Sequence, residues 1–240
     1  MAPHSSLARP IPAGWDLRRL GVKIPHGLQK AKKPATVQRI VAAAERIFAE
    51  RGLAGARTDE IAKAAGVNKA LLYYYFGSKG NLHRFVLESL FSQLLVAIEC
   101  APAEGSLPRQ RLLAYVNGYF DFVSSHPNYP RLVQREVMNS GKHLAWIVDH
   151  YFRPLHHRLS RAIEAGIASG EFRRVDAHQT VLTIIAMTVF YFAAAPVLSE
   201  IWGRDALRPQ AVAARRRALL DFLEHGLLRR ASREALARNK

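Results

Sequence analysis

The stretch RTDEIAKAAGVNKALLYYYF, from Arg57 to Phe76, decides how the rest of the chain is read. At helical period its first half places Ile61, Ala62 and Ala65 on one face. Gly66 follows them, a residue type that turns a chain at a helix C-terminus without Cβ strain. Asn68 is a good N-cap for a second helix. In that helix Leu72, Tyr75 and Phe76 share a face, while Ala70, Tyr73 and Tyr74 look the other way. Two short helices joined by a tight Gly-containing turn make a helix-turn-helix, and the second helix of such a unit fits the DNA major groove.

Working outward, Ile40, Ala43, Ala44, Ile47 and Phe48 recur at spacings of three and four within Thr36 to Arg51, with Arg39, Glu45, Arg46 and Glu50 between them. This pattern predicts an amphipathic helix closed by Gly52. Thr58 is expected to cap the next helix, with Asp59 and Glu60 in the first turn, where the helix dipole favours anions. Past Phe76, Ser78 is placed to cap a fourth helix running from about Gly80 to Glu99. Lys79 sits at the start of that helix, where a cation opposes the dipole. A structural reading gains nothing from this lysine, so a phosphate contact is the more useful expectation.

Ala101 to Pro108 is a Pro- and Gly-containing linker. Beyond it the periodicity predicts helices at about Arg109 to Ser125, Tyr129 to Asn139, Leu144 to Ser169, Ala177 to Leu198 and Gln210 to Arg230. His126-Pro127-Asn128, Ser140-Gly141, Gly170 and Trp202 to Asp205 punctuate them. No stretch alternates at period two for long enough to be a strand. The expected class is all-α: a basic flexible arm at 1–33, a helix-turn-helix DNA-binding domain at 34–98, a larger helical domain at 99–231, for which the family resemblance described below implies ligand binding and dimerisation, and a basic tail at 232–240. The run TVLTIIAMTVFYFAAAPVL, Thr180 to Leu198, is apolar enough to raise a membrane-spanning reading. A helix apolar all round is more simply buried on both sides, by its own domain and by a partner chain, and this motivates a homodimer with no membrane.

Two features of the C-terminal half carry alternatives. The predicted helix at 144–169 shows Leu144, Ile147, Val148, Tyr151, Leu155 and Leu159 on one side and His143, Trp146, His150, Arg153 and His157 on another, with Pro154 expected to kink it. The polar stripe reads as a solvated face or as the lining of a pocket for an anionic or aromatic compound. His150 and His157 stand about two turns apart without a carboxylate or cysteine cluster, so no metal is expected there. Arg135 and Glu136 read as a structural pair or as pocket residues.

The totals agree with a nucleic-acid partner. Across 240 residues the formal net charge is +16 and 49% of the residues are hydrophobic, so the chain has a full core and an affinity for polyanions, either nucleic acid or an anionic membrane surface. The arm contributes Arg9, Arg18, Arg19, Lys23, Lys30, Lys32 and Lys33 against Asp16 alone. It reads as a solvated tail or as an arm that tracks phosphates. The single cysteine, Cys100, rules out an internal disulfide framework and fits a reducing compartment. Pro10, Pro12, Asp16, Arg18 and Arg19 interrupt any secretory apolar run, so the expected location is the cytoplasm.

From about Thr36 to Leu95 the sequence resembles the TetR family of transcriptional regulators. The resemblance is carried by IVAAAERIFAERGLAGARTDEIAKAAGVNKALLYYYFGSKGNLHRFV: an Ala-rich first helix ending in Phe48 and Gly52, a Thr before the second helix, the AAGV turn, a short aromatic recognition helix and a Lys before the fourth. It implies DNA contacts from Thr58, Lys69, Ala70, Leu71, Tyr73, Tyr74 and Tyr75, with Lys79 on the backbone. Arg57 and Asn68 complete the candidate set. Tyr73 and Tyr74 point away from the core, where their hydroxyls reach phosphates or a base edge. Tyr75 suits packing and phosphate contact equally. Asn68 stands where Ser is usual, a swap that preserves capping. Leu71 replaces a commonly small or hydroxylated residue, which implies apolar readout of a thymine methyl.

The resemblance further implies a homodimer on a palindromic double-stranded operator, released when an unidentified small molecule enters the C-terminal domain and changes the spacing of the recognition helices from the roughly 34–36 Å that successive major grooves demand. Activation in place of repression stays open. No Gly-rich phosphate loop, nucleophile elbow, zinc motif or paired-carboxylate signature is present, so neither catalytic residue nor cofactor is expected. The alternative is a basic protein that binds nucleic acid without sequence preference.

Overall fold

The computed structural model describes residues 34–99, 106–138 and 143–228. The basic arm, Cys100, most of the linker, the Ser140-Gly141 turn and the basic tail lie outside these residues. The fold is all-α. Among the described residues the one β-type pairing is an isolated antiparallel bridge between Phe172 and Leu228. The chain divides into two compact units, Met1–Ser92 with Arg131–His143, and Gln93–Pro130 with Leu144–Lys240. The first thus gathers a distant segment that a contiguous division at residue 98 does not include.

The first unit contains α1 (Pro34–Gly55), α2 (Thr58–Ala65), α3 (Lys69–Phe76) and the start of α4 (Lys79–Glu99). Gly52 kinks α1 and does not close it. Its φ of 69° and ψ of 176° leave the helical region, and the chain takes one more turn to Gly55. A positive φ of this kind suits glycine, because other L-residues meet their own Cβ there. The residues picked out by helical period form the core: Ile40, Phe48, Ile61 and Leu72 have no exposed surface, and Phe76 has 1%. The Phe76 and Phe85 rings meet edge-on at 5.5 Å, and Phe48 meets the His83 ring at 4.7 Å. Each such buried side chain contributes about 1.5–3 kcal/mol, which fixes α2 and α3 against α1 and α4.

The second unit contains α5 (Pro108–Ser125), the opening of α6 (Tyr129–Met138), α7 (Leu144–Ile147), a π-helical turn (Val148–Phe152), α8 (Arg153–Ala168), α9 (Ala177–Ala193), α10 (Ala195–Trp202) and α11 (Pro209–Leu227). Two predicted continuous helices are therefore broken. The first break lies just ahead of Pro154, where the Arg153 amide reaches back to the Val148 carbonyl. The widened turn accommodates the proline ring, which clashes in a regular helix interior. The second break is at Ala194, where α9 and α10 meet at 67° with Pro196 in the first turn of α10. No single described helix is long and apolar enough to cross a membrane.

The face of α9 carrying Val181, Ile184, Thr188 and Tyr191 is buried within the unit, and the Tyr191 hydroxyl donates to the Ala206 carbonyl. Leu182 and Phe190 on the other side of α9 remain 59% and 69% exposed. On the helix formed from α7 to α8, Ile147, Tyr151, Leu155 and Leu159 are buried, whereas Leu144 and Val148 are only partly covered. Among the polar stripe, His150 and His157 are exposed, and the Nδ1 atom of His150 lies 2.9 Å from the Trp146 carbonyl.

Candidate nucleic-acid interface

The second helix of the helix-turn-helix, α3, is eight residues long, and its two faces are sharply distinct. Leu72 and Phe76 are buried and anchor it; Ala70, Tyr73 and Tyr74 are exposed, Tyr74 to 59%. Its start is fixed locally. The Gly66 backbone adopts the left-handed conformation, with φ 63° and ψ 41°, and ends α2. Asn68 then caps α3, its side-chain oxygen accepting the Ala70 amide at 2.8 Å. Asn68 is accordingly engaged in capping at the position expected to face DNA.

The remaining candidates sort by what their side chains already touch. Arg57 is exposed at the N-cap position of α2. Thr58 does not cap that helix: it is the first helical residue, and Arg57, which precedes it, makes no side-chain capping bond. The Thr58 hydroxyl instead lies 3.4 Å from the Tyr73 hydroxyl, joining the N-terminus of α2 to the open face of α3. Leu71 is half-buried. Tyr75 is 6% exposed and meets Tyr74 and Phe76 edge-on, so its ring packs in the core, the packing side of its two sequence readings. Val67, expected to help anchor the turn, is only partly covered.

Three cations border this face. Lys69 reaches both carboxylate oxygens of Asp59, at 2.9 and 3.1 Å. That shared hydrogen bond holds the Asp59 carboxyl below its ordinary range and raises the Lys69 ammonium. Arg51 grips both oxygens of Glu60, at 2.8 and 2.9 Å. Lys79 has a structural role that sequence reasoning denied it: its ammonium donates to the Ala56 carbonyl at 2.9 Å and to the Ala54 carbonyl at 3.4 Å. These carbonyls lie in the last turn of α1 and just past its end, where a cation is favoured. A phosphate contact by Lys79 would add to that role.

Arg135 was missed as a contributor to this unit. Its Nε donates to the Ala49 carbonyl at 3.0 Å and its second terminal nitrogen to the Glu50 carbonyl at 2.6 Å. Both carbonyls lie just before the Gly52 kink, where the helical path is interrupted. Glu136 pairs with a different residue, the buried His83 of α4, at 3.4 Å. Both side chains are structural, as one of the two sequence readings has it, but each grips its own helix. The signal that finds Arg135 is a helix break at a glycine without a side-chain cap, which calls for a cation from elsewhere in the chain.

Two family models match the chain. Residues 40–84 match bacterial regulatory proteins of the tetR family, and residues 108–223 match the tetracyclin repressor-like C-terminal domain. The chain belongs to the TetR family. The HTH-type transcriptional repressor NicS of Pseudomonas putida is 28% identical over 208 residues, 85% of this chain and 97% of that protein. The activator FasR of Mycolicibacterium smegmatis is 35% identical over 122 residues, 51% of this chain and 52% of that protein. Among solved structures, that of the ketosteroid transcriptional regulator KstR2 of Mycobacterium tuberculosis superposes with a TM-score of 0.66 at 21% identity. The match covers 83% of this chain and 97% of that one and shows the shared fold. The protein is a TetR-family DNA-binding transcriptional regulator.

Proposed function

We propose that the chain acts in the cytoplasm as a homodimeric repressor, docking α3 of each copy in successive major grooves of a palindromic operator and releasing it when a small molecule occupies the C-terminal domain. The reading rests on one observation above all, the open face of α3, where Ala70, Tyr73 and Tyr74 stand clear of a core that holds Leu72 and Phe76. Tyr73, Tyr74, Thr58 and Arg57 supply hydrogen bonds to phosphates and base edges, Lys79 supplies charge, Lys69 borders the same face in its pair with Asp59, and Ala70 and Leu71 supply apolar contact with thymine methyls. In this reading residues 34–98 bind DNA and 99–231 sense ligand and dimerise, with the arm at 1–33 and the tail at 232–240 as basic extensions. The dimer reading draws on Leu182, Phe190 and Phe222, which expose hydrocarbon to 59%, 69% and 60%.

Selection of bound sites from a randomised duplex pool tests the proposal. A two-fold symmetric site that survives excess random duplex is expected, and Tyr74→Ala should weaken it about tenfold or more. Recovery of no preferred sequence would favour the second reading, a charge-driven binder, which draws on the net charge of +16. Placing the selected site upstream of a reporter then separates repression from activation, and loss of binding on adding the effector is the sign of release.

A further inference from the structure

We propose that Asp59 is a specificity-determining residue: it withholds the Lys69 ammonium from phosphates and so lowers the affinity of this chain for DNA of the wrong sequence. The inference rests on the reading of the α3 face as the DNA-binding surface.

Lys69 opens α3 and Asp59 is the second residue of α2, ten positions apart, and the turn brings them together at 2.9 and 3.1 Å on the two carboxylate oxygens. Their side chains are 46% and 61% exposed, so the pair sits on the surface offered to the duplex. The pair is of little use to the fold, since exposed ion pairs contribute little to stability. Nor does α2 require Asp59 for its dipole, because Glu60 stands in the same first turn. Glu60 is turned to Arg51, which leaves Asp59 as the carboxylate set against the cation of the reading helix.

A carboxylate in this place has a different effect in the two modes of binding. Non-specific binding is essentially a matter of phosphate contacts and counterion release. A phosphate that takes Lys69 must draw it off Asp59 and then sit beside a bare carboxylate, so this mode loses one cation and gains one repulsion. A seated operator is held by contacts of α3 with base edges, and the groove offers amino donors such as cytosine N4 to a carboxylate. The penalty therefore falls more heavily on random sequence. A chain of net charge +16 has particular need of such a brake, because its non-specific sites compete with the operator.

The test is a double-mutant cycle on the full chain with Asp59→Asn, Lys69→Met and both, measured by fluorescence anisotropy. The probes are a random-sequence duplex and the site selected by the wild type, each across a salt series. Asp59→Asn is expected to tighten the random duplex about 3- to 10-fold at low salt and to steepen its log–log salt slope by about 0.9, the value of one extra phosphate contact. The gain on the selected site is about twofold or less, so the specificity ratio falls. The double variant binds random duplex no tighter than Lys69→Met alone. Unchanged or weaker binding of random duplex by Asp59→Asn, with wild-type helicity and wild-type binding intact, overturns the role of Asp59. An equal gain in the double variant overturns the route through Lys69. Failure of the wild type to bind either duplex removes the DNA-binding reading itself, and this inference with it.

Discussion

The pair α2–α3 and the pair α9–α10 each meet at a sharp break, and they use the break in opposite ways. Between α2 and α3 the turn is built from a left-handed Gly66 and the Asn68 cap, and the aromatic residues left outside, Tyr73 and Tyr74, carry hydroxyls. Between α9 and α10 the break falls on Ala194, with no side-chain cap, and what stays outside is bare hydrocarbon: Phe190, Val197 and Ile201 at 69%, 61% and 70% exposure. An exposed aromatic with a polar tip is at home against a hydrated polyanion, whereas exposed hydrocarbon at this density suits another protein surface. The chemistry of the uncovered side chains thus sets the α3 face, suited to DNA, apart from the α9–α10 face, suited to the second chain proposed above.

The contrast breaks most readily at its buried anchors. Leu72→Ala removes a side chain with no exposed surface and should cost about 2–5 kcal/mol in chemical denaturation, whereas Val197→Ala should change subunit stability by less than about 0.5 kcal/mol. Equal costs would mean that the α10 face is not free in the subunit. Next in size is Arg135→Gln, which breaks two charge-assisted bonds to the Ala49 and Glu50 carbonyls. A loss of about 1.5–3 kcal/mol is expected in the same denaturation, accompanied by weaker binding of the selected site in a gel shift. Phe190→Glu sharpens the other side of the contrast. It should weaken self-association about tenfold or more in sedimentation while leaving far-ultraviolet circular dichroism unchanged, and operator affinity should fall with it.

The smallest effect is expected away from the DNA-reading face, at the tyrosine pair of the second unit. The hydroxyls of Tyr119 and Tyr129 lie 3.5 Å apart, and burial pushes Tyr129 up to about 12 and raises Tyr119 as well. In the unfolded chain both ionise near pH 10. The raised folded values mean that their contribution is fully present below about pH 10 and is lost as pH rises towards 12. Tyr129→Phe should therefore move alkaline unfolding to higher pH while changing stability at pH 7 by no more than about 1.5 kcal/mol. Tyrosinate absorbance followed against pH checks the first statement, and chemical denaturation at pH 7 the second.

These predictions also mark what the sequence could reveal. Gly66, Asn68 and the buried face of α3 were legible because each acts on neighbours within four residues, the range over which helical period and capping operate. Ser78 was legible for the same reason, its hydroxyl accepting the Asn81 amide at 3.1 Å. Thr58 was misread because the Arg57 backbone already supplies the extended N-cap residue, which moves Thr58 one place into the helix. Lys79 and Arg135 were opaque, since their acceptors lie 23–25 and 85–86 residues away and no local pattern records such distances. The break at Ala194 was hidden in an unpunctuated apolar run. Pro196 was the one sign of it, acting as a first-turn residue of a new helix.

The brace from Arg135 also bears on the order in which the protein is made. The ribosome releases the three helices of the reading unit well before residue 135, and at about 5–20 residues per second the 85 residues separating Glu50 from Arg135 take roughly 4 to 17 seconds to appear. Through that interval the nascent chain holds a complete DNA-reading motif whose first helix lacks the guanidinium that ties down its kink. The unit that reads DNA is therefore completed only by a segment made after the whole of its reading motif.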